Sequence, residues 1–157
     1  MIPSKPCTVR PEVAAAAKWW ANQLRELPSF DNGSKDLGSQ MAAFTMNMVR
    51  LSIPELPEEK IATFEQVLAE GMELVIESHS EDWRPGQPKW GCFRRHFGTD
   101  YQPDRVLEQA ALAAGIDLSF RAPIKTRMWI NPGSVMVVCG HGMPAQEVFT
   151  TVKGVSV

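Results

Sequence analysis

The sequence predicts an α+β fold: an N-terminal helical bundle packed on a small antiparallel sheet with one additional helix. Three observations point there. The first 78 residues place apolar side chains at three- and four-residue steps, the period of one-sided helices. The stretch "KTRMWINPGSVMVVC" alternates, turns at Pro-Gly and runs apolar again, as two strands around a turn do. Between these regions stands one sharply delimited helix, "PDRVLEQAALAAGI". Helices followed by strands, rather than strict alternation, favour α+β.

The elements follow in order. Pro11 and Glu12 open the first helix, since proline is tolerated in a first turn; Val13, Ala16, Ala17, Trp20 and Leu24 mark its buried face, and Pro28 stops it. "SFDNGSKD" is a turn-rich loop. Leu37, Met41, Phe44, Met48 and Leu51 form a second stripe with steps of 4, 3, 4 and 3. "SIPELPEEK" breaks and restarts the chain, with Pro57, Glu58 and Glu59 suiting a helix N-terminus. Ile61, Phe64, Leu68 and Val75 mark the third helix, which runs to Ser78. Three antiparallel helices with short links bury such faces against one another. The methionines Met41, Met46 and Met48 then read as adaptable core packing; the alternative is a pliable binding or self-association surface.

Residues 79–91, "HSEDWRPGQPKWG", form a linker. In "CFRRHFGTDY", an extended reading puts Phe93, Arg95, Phe97 and Thr99 on one face and Arg94, His96 and Gly98 on the other. The fourth helix begins at Pro103 and Asp104, turns Leu107, Ala110, Ala111 and Ala114 inward, and ends on a left-handed Gly115 with Ile116 in apolar contact. Asn131-Pro132-Gly133-Ser134 suits a type II turn. A bare Pro-Gly link twists the wrong way for a tight hairpin, so a slightly wider loop is expected. "EVFTTV" is a candidate last strand.

At 157 residues the chain suits one domain, 1–157, divided into a helical subregion 1–78, the linker, and a strand-helix-strand-strand subregion 92–157. Apolar residues are 44% and charged residues 22%, which argues against disorder. No apolar run approaches the ~18 residues of a membrane span, and "MIPSKPCTVRPEV" lacks the apolar core of a secretion signal. Three widely spaced cysteines favour free thiols in a reducing cytoplasm. The net charge of -2 excludes a polycation. Residues 1–80 hold 7 basic and 11 acidic side chains and residues 81–157 hold 9 and 7, so the halves carry about -4 and +2, and an anionic ligand would visit the second.

Two constellations bear chemistry. Cys139 and His141 share a strand face and could pair for nucleophilic catalysis, as could Cys139 with His96. Without CxxC or HxxxH spacing, no metal and no cofactor are expected. The plain reading is a buried strand-end cysteine before a glycine-flanked turn. The second constellation is "WRPGQPKWGCFRRHF", with Arg84, Lys89, Arg94, Arg95, Trp83 and Trp90 and no acid. Guanidinium groups fork onto phosphates and flat rings stack on bases. Lys125, Arg127 and Trp129 extend it if the hairpin pairs with "CFRRHF". The ligand-binding set is therefore Trp90, Arg94, Arg95, Lys125, Arg127 and Trp129. Against this stands a structural reading: the tryptophans plug the join between helices and sheet, and the basic residues blunt a sheet edge. No Walker A loop, GxGxxG, helix-turn-helix or RNA-recognition signature occurs, so sequence-specific nucleic-acid binding is not expected.

"TDYQPDRVLEQAALAAGI", "APIKTRMWI" and "VMVVCGHGMP" together resemble the C-terminal half of small accessory proteins of tailed phages and prophages. The matching positions are Asp100, Tyr101, Pro103, Ala114, Gly115, Ile116, Pro123, Lys125, Thr126, Met128, Trp129, Gly140 and Gly142; His141 stands where that pattern has tyrosine. The resemblance implies a non-catalytic counter-defence protein in the cytoplasm of a bacterial host. It would sequester a phosphate-bearing small ligand, such as a nucleotide signal, or block a host protein, and a homo-oligomer is compatible with it. The competing expectation is a small enzyme using the Cys139 pair.

Overall fold

The computed structural model describes residues 8–25, 37–84, 95–99, 102–119, 121–123, 125–140 and 142–151. Helices α1 (Pro11–Arg25), α2 (Leu37–Leu51) and α3 (Glu58–Ser78) come first, and a 3-10 turn at Ser80–Asp82 follows α3. Strand β1 (His96–Thr99) leads into α4 (Arg105–Ala114), and β2 (Thr126–Asn131), β3 (Ser134–Cys139) and β4 (Gln146–Thr150) complete the described chain. The four strands form one antiparallel sheet in the order β1-β2-β3-β4. The fold is α+β.

The core lies between α1, α3, α4 and one sheet face. Helix α1 buries Val13, Ala16, Ala17, Trp20 and Leu24, as its spacing predicts. On α3 the stripe runs Ile61, Phe64, Leu68, Met72 and Ile76, the steps of a 3.6 repeat, and leaves Val75 half-buried. Alternation gives the sheet its inward set: Phe97 and Thr99 from β1, Thr126, Met128 and Ile130 from β2, Val135 and Val137 from β3. Each fully buried aliphatic or aromatic side chain contributes roughly 1.5–3 kcal/mol.

Helix α4 is delimited as read. Asp104 caps it, accepting from the Leu107 N–H at 3.0 Å. Gly115 sits at φ 68, and the Ile116 N–H donates to the Ala111 carbonyl at 2.8 Å, closing a Schellman motif.

Two expectations fail. Helix α2 forms, but no other described element packs along it, so it is not the third member of a bundle. Its stripe lies in solvent: Leu37 is 69%, Phe44 67% and Leu51 82% exposed. Its apolar face calls for a cover that this chain does not supply among the described residues. The hairpin between β2 and β3 is also tighter than expected. Asn131 pairs directly with Ser134, leaving Pro132 and Gly133 as a two-residue turn, with Gly133 at φ 78 as a type II turn requires. Contacts from outside the hairpin hold it: the Gly133 N–H donates to the Glu12 carboxylate at 3.1 Å, and the Gly133 carbonyl accepts from the Thr151 N–H at 2.9 Å.

Candidate functional site: the outer face of the sheet

The side chains that alternate away from the core build the candidate site. Cross-strand register sets His96 opposite Trp129 and Trp129 opposite Met136; the next row runs Gly98, Arg127, Val138. The His96 and Trp129 rings meet at 5.1 Å between centroids and 62° between planes, an edge-to-face contact. Arg127 is exposed, and Trp129, Met136 and Val138 are half-buried. Gly98, opposite Arg127, is buried against the β2 backbone. A Cβ there would stand 2.3 Å from the Thr126 carbonyl oxygen, because the β1 and β2 backbones approach closely. Helices α1 and α4 pack on the inward face, so among the described residues no helix crosses this one.

The electrostatics follow from burial. Desolvation pushes the His96 pKa below its ordinary value, and Arg127 adds to the effect while Asp104 opposes it. Asp104 is itself held above the usual carboxylate range by burial, against the hydrogen bonds it accepts from Leu107 and Gly98. The imidazole is therefore neutral at pH 7. The face is an aromatic and aliphatic ladder with an exposed guanidinium at its side.

The residues singled out in the sequence do not all gather here. Arg127 and Trp129 do. Lys125 directly precedes β2 with φ 51, a left-handed conformation that takes it out of the extended repeat, so alternation does not place it beside Arg127. Arg95 is buried at 2% exposure. Its Nη1 donates to the Asp82 carbonyl and its Nη2 to Asn131 Oδ1 at 3.2 Å, so it stitches the 3-10 turn to the end of β2. Trp90, Arg94 and His141 lie outside the described residues. Trp83 packs half-buried against the core under the Arg10 guanidinium, at 5.1 Å.

Cys139 pairs with Thr126 and shares its inward face, where burial pushes the thiol pKa up and a hydrogen bond with the Thr126 side chain partly offsets this. His96 occupies the opposite face, in the row of Trp129. The sheet itself separates the two, which removes a Cys139–His96 pair. Among the described residues, no three His, Cys, Asp or Glu side chains cluster as a metal site. A narrow apolar crevice lined by Trp20, Leu24, Phe64, Leu107, Leu118 and Pro123 lies on the helical side and encloses no room for a small molecule.

Sequence reasoning missed His96, Met136 and Val138 as neighbours of Trp129. The signal was present: "VMVVC" is apolar at every position, so both faces of β3 are apolar and only one can meet the core.

Fold and site together define a small α+β domain whose outward sheet face carries a half-buried His96–Trp129 pair beside an exposed Arg127. Residues 39–149 match the BTG family model. A BTG family protein of Dictyostelium discoideum is 31% identical over 127 residues, 80% of this chain, and the chain spans only 23% of that protein's length. The BTG/Tob domain of C. elegans FOG-3 shares the fold with a TM-score of 0.55 at 16% identity, over 88% of this chain and 80% of that one. The chain belongs to the BTG family.

This overturns the resemblance to phage and prophage accessory proteins, and with it the counter-defence role and the sequestered phosphate-bearing ligand or blocked host protein. The reason is physical. Gly115 is a left-handed helix cap, Ile116 its apolar contact, Thr126 and Met128 inward strand positions, and Gly140 and Gly142 positive-φ residues at 92° and 75°. A capped helix followed by a hairpin imposes those residue types on any chain, so the pattern carries no ancestry. The bacterial host was part of the same resemblance, whereas the cytoplasm was read from the three cysteines. Among the described residues, no helix is long and apolar enough to cross a membrane.

Proposed function

We propose that this domain is a non-catalytic protein-binding module that docks a partner on the outer face of its sheet, with Trp129 as the anchor. The outward row of His96, Trp129 and Met136, half-buried and crossed by no helix among the described residues, carries this reading. Interface cores are enriched in aromatic residues, methionine and arginine, and binding energy concentrates at tryptophan and arginine. A rigid strand presents these side chains, and the edge contact with His96 holds the indole in place before a partner arrives, which lowers the ordering cost of association. Membership of the BTG family is compatible with this reading. The elevated Cys139 pKa also supports it, since a catalytic thiol is normally activated in the opposite direction.

The test compares tagged wild-type chain with Trp129→Ala and Arg127→Glu in affinity purification with quantitative mass spectrometry, after matched melting temperatures show that the variants fold. A specific partner should fall about tenfold or more in recovery with Trp129→Ala, the scale of a hot-spot truncation. An unchanged set of partners at unchanged recovery would sink the proposal.

A further inference from the structure

The outward sheet face carries two charges that the sheet itself does not answer. Arg127 is exposed on β2, and its cross-strand neighbours are Gly98 and Val138, which have no side-chain acceptor. Glu147 is exposed on β4 and lies opposite Met136, so the outward row runs His96, Trp129, Met136, Glu147. The diagonal neighbours bring no opposite charge either: His96 and Met136 beside Arg127, Val138 beside Glu147. Neither Arg127 nor Glu147 makes an ion pair among the described residues.

Charge on an edge strand deters strand-to-strand association, and that alone would account for Glu147. It does not account for Arg127, because β2 is an inner strand with β1 and β3 on either side. A guanidinium beside an indole is instead the pairing of residue types that interfaces favour. Nor do the two charges suit a polyanion. A nucleic-acid strand or an acidic membrane drawn to Arg127 would be repelled by Glu147, and the whole chain has a net charge of -2. Opposite charges at two corners of an apolar row select a partner of the reverse polarity and fix the direction in which it lies.

We infer that the partner of this face is a protein segment in which an apolar side chain, seated on Trp129 and Met136, stands between an acidic group that meets Arg127 and a basic group that meets Glu147. The spacing follows from sheet geometry. Arg127 lies two residues along β2 from Trp129, about 7 Å, and Glu147 two strands across, about 10 Å, so the partner's charged groups are roughly 12 Å apart. This inference rests on the sheet-face reading and adds to it the partner's charge pattern and orientation.

Random peptides displayed on phage and panned on the immobilised full chain test it. Enriched peptides should carry an aromatic or aliphatic anchor with an acid on one side and a base on the other. The best of them, measured by fluorescence anisotropy, should bind about tenfold more weakly to Arg127→Glu and to Glu147→Lys, and at least about tenfold more weakly to Trp129→Ala. Exchanging the peptide's acid for lysine should restore binding to Arg127→Glu and not to Glu147→Lys; exchanging its base for glutamate should do the reverse. Matched melting temperatures show that the variants fold. The inference is overturned if nothing is enriched over a blank surface, if the enriched peptides share no charge pattern, if either reversal leaves affinity unchanged, or if the exchanged peptides fail to restore it. Binding lost in Trp129→Ala with both reversals silent removes the charge pattern and keeps the docking face; binding that survives Trp129→Ala removes the face as well.

Discussion

His96 is neutral in the folded protein because partial burial and the nearby Arg127 both penalise its charged form, more than Asp104 favours it. Its folded pKa lies below the ordinary value of 6.5. The unfolded chain therefore takes up the proton first. The stability this residue contributes is fully present above 6.5 and is lost as pH falls through the lower, folded value. Asp104 works in the other direction further into acid, since its folded pKa is raised above 3.8 and the folded state binds that proton first. Urea midpoints measured while stepping the pH down from neutral should fall for the wild type and fall less for His96→Gln. Parallel curves for the two proteins would show that the ring is as well solvated as in the unfolded chain. At this scale the sequence was partly legible. Trp129 and Arg127 could be picked out by residue type and alternation. Alternation also put Arg95 on the face of Phe97 and Thr99, but it could not show that its partner is Asn131, 36 positions away.

Among the elements, β1 is the most exacting, because it pairs with β2 at a distance only glycine permits. The position beside Thr126 has no room for a methyl group: a Cβ on Gly98 would meet the Thr126 carbonyl oxygen at 2.3 Å and the Arg127 Cα at 3.2 Å, both backbone. Backbone cannot swing aside as a side chain can. Gly98→Ala should therefore destabilise the fold by about 2–3 kcal/mol, the range of an overpacked interior site. Chemical denaturation measures it, and amide exchange should show β1 opening before β3. A loss under about 0.5 kcal/mol, the level of an ordinary surface change, would mean that the strands slide freely. Element identities were the most readable level of the sequence. A cap with its periodic stripe specifies α4 locally, and alternation specifies β2 and β3. What could not be read was the cover of α2. A repeat of 4, 3, 4, 3 states that a helix has an apolar face, and a face turned to the core and a face left exposed obey the same repeat. Turn closure was hidden for a related reason, since Glu12 lies 121 positions from the Gly133 N–H that it holds.

The whole molecule is assembled around the first turn of α1. Sequence composition suggested residues 79–91, with their tryptophans, as the joint between helices and sheet; the described contacts place much of that work at Arg10 and Glu12. Arg10 bonds to Glu73 and, at 2.8 Å, to Glu77, both on α3, and its guanidinium covers Trp83. Two residues on, Glu12 reaches the β2–β3 turn. Arg10, just before α1, thus grips the helical layer and Glu12, in its first turn, grips the sheet, while Val13, Ala17 and Trp20 fill the space between. The Glu73 side chain is only 9% exposed, so removing the guanidinium leaves a buried carboxylate held by the backbone N–H of residue 10, at 3.2 Å, without a counter-charge. Breaking a buried pair from one side costs about 3–5 kcal/mol; the 23% exposure of Arg10 admits water and brings the expected loss for Arg10→Ala to about 2–3 kcal/mol. Replacing both partners removes both charges together with their desolvation cost. The double variant Arg10→Met with Glu73→Leu should therefore be more stable than Arg10→Ala alone, although it deletes more polar contacts. Urea unfolding of the three proteins decides the point. If the double variant is the least stable, the ion pair itself joins the layers; if it recovers, packing joins them and the charges serve to fix how α1 is seated.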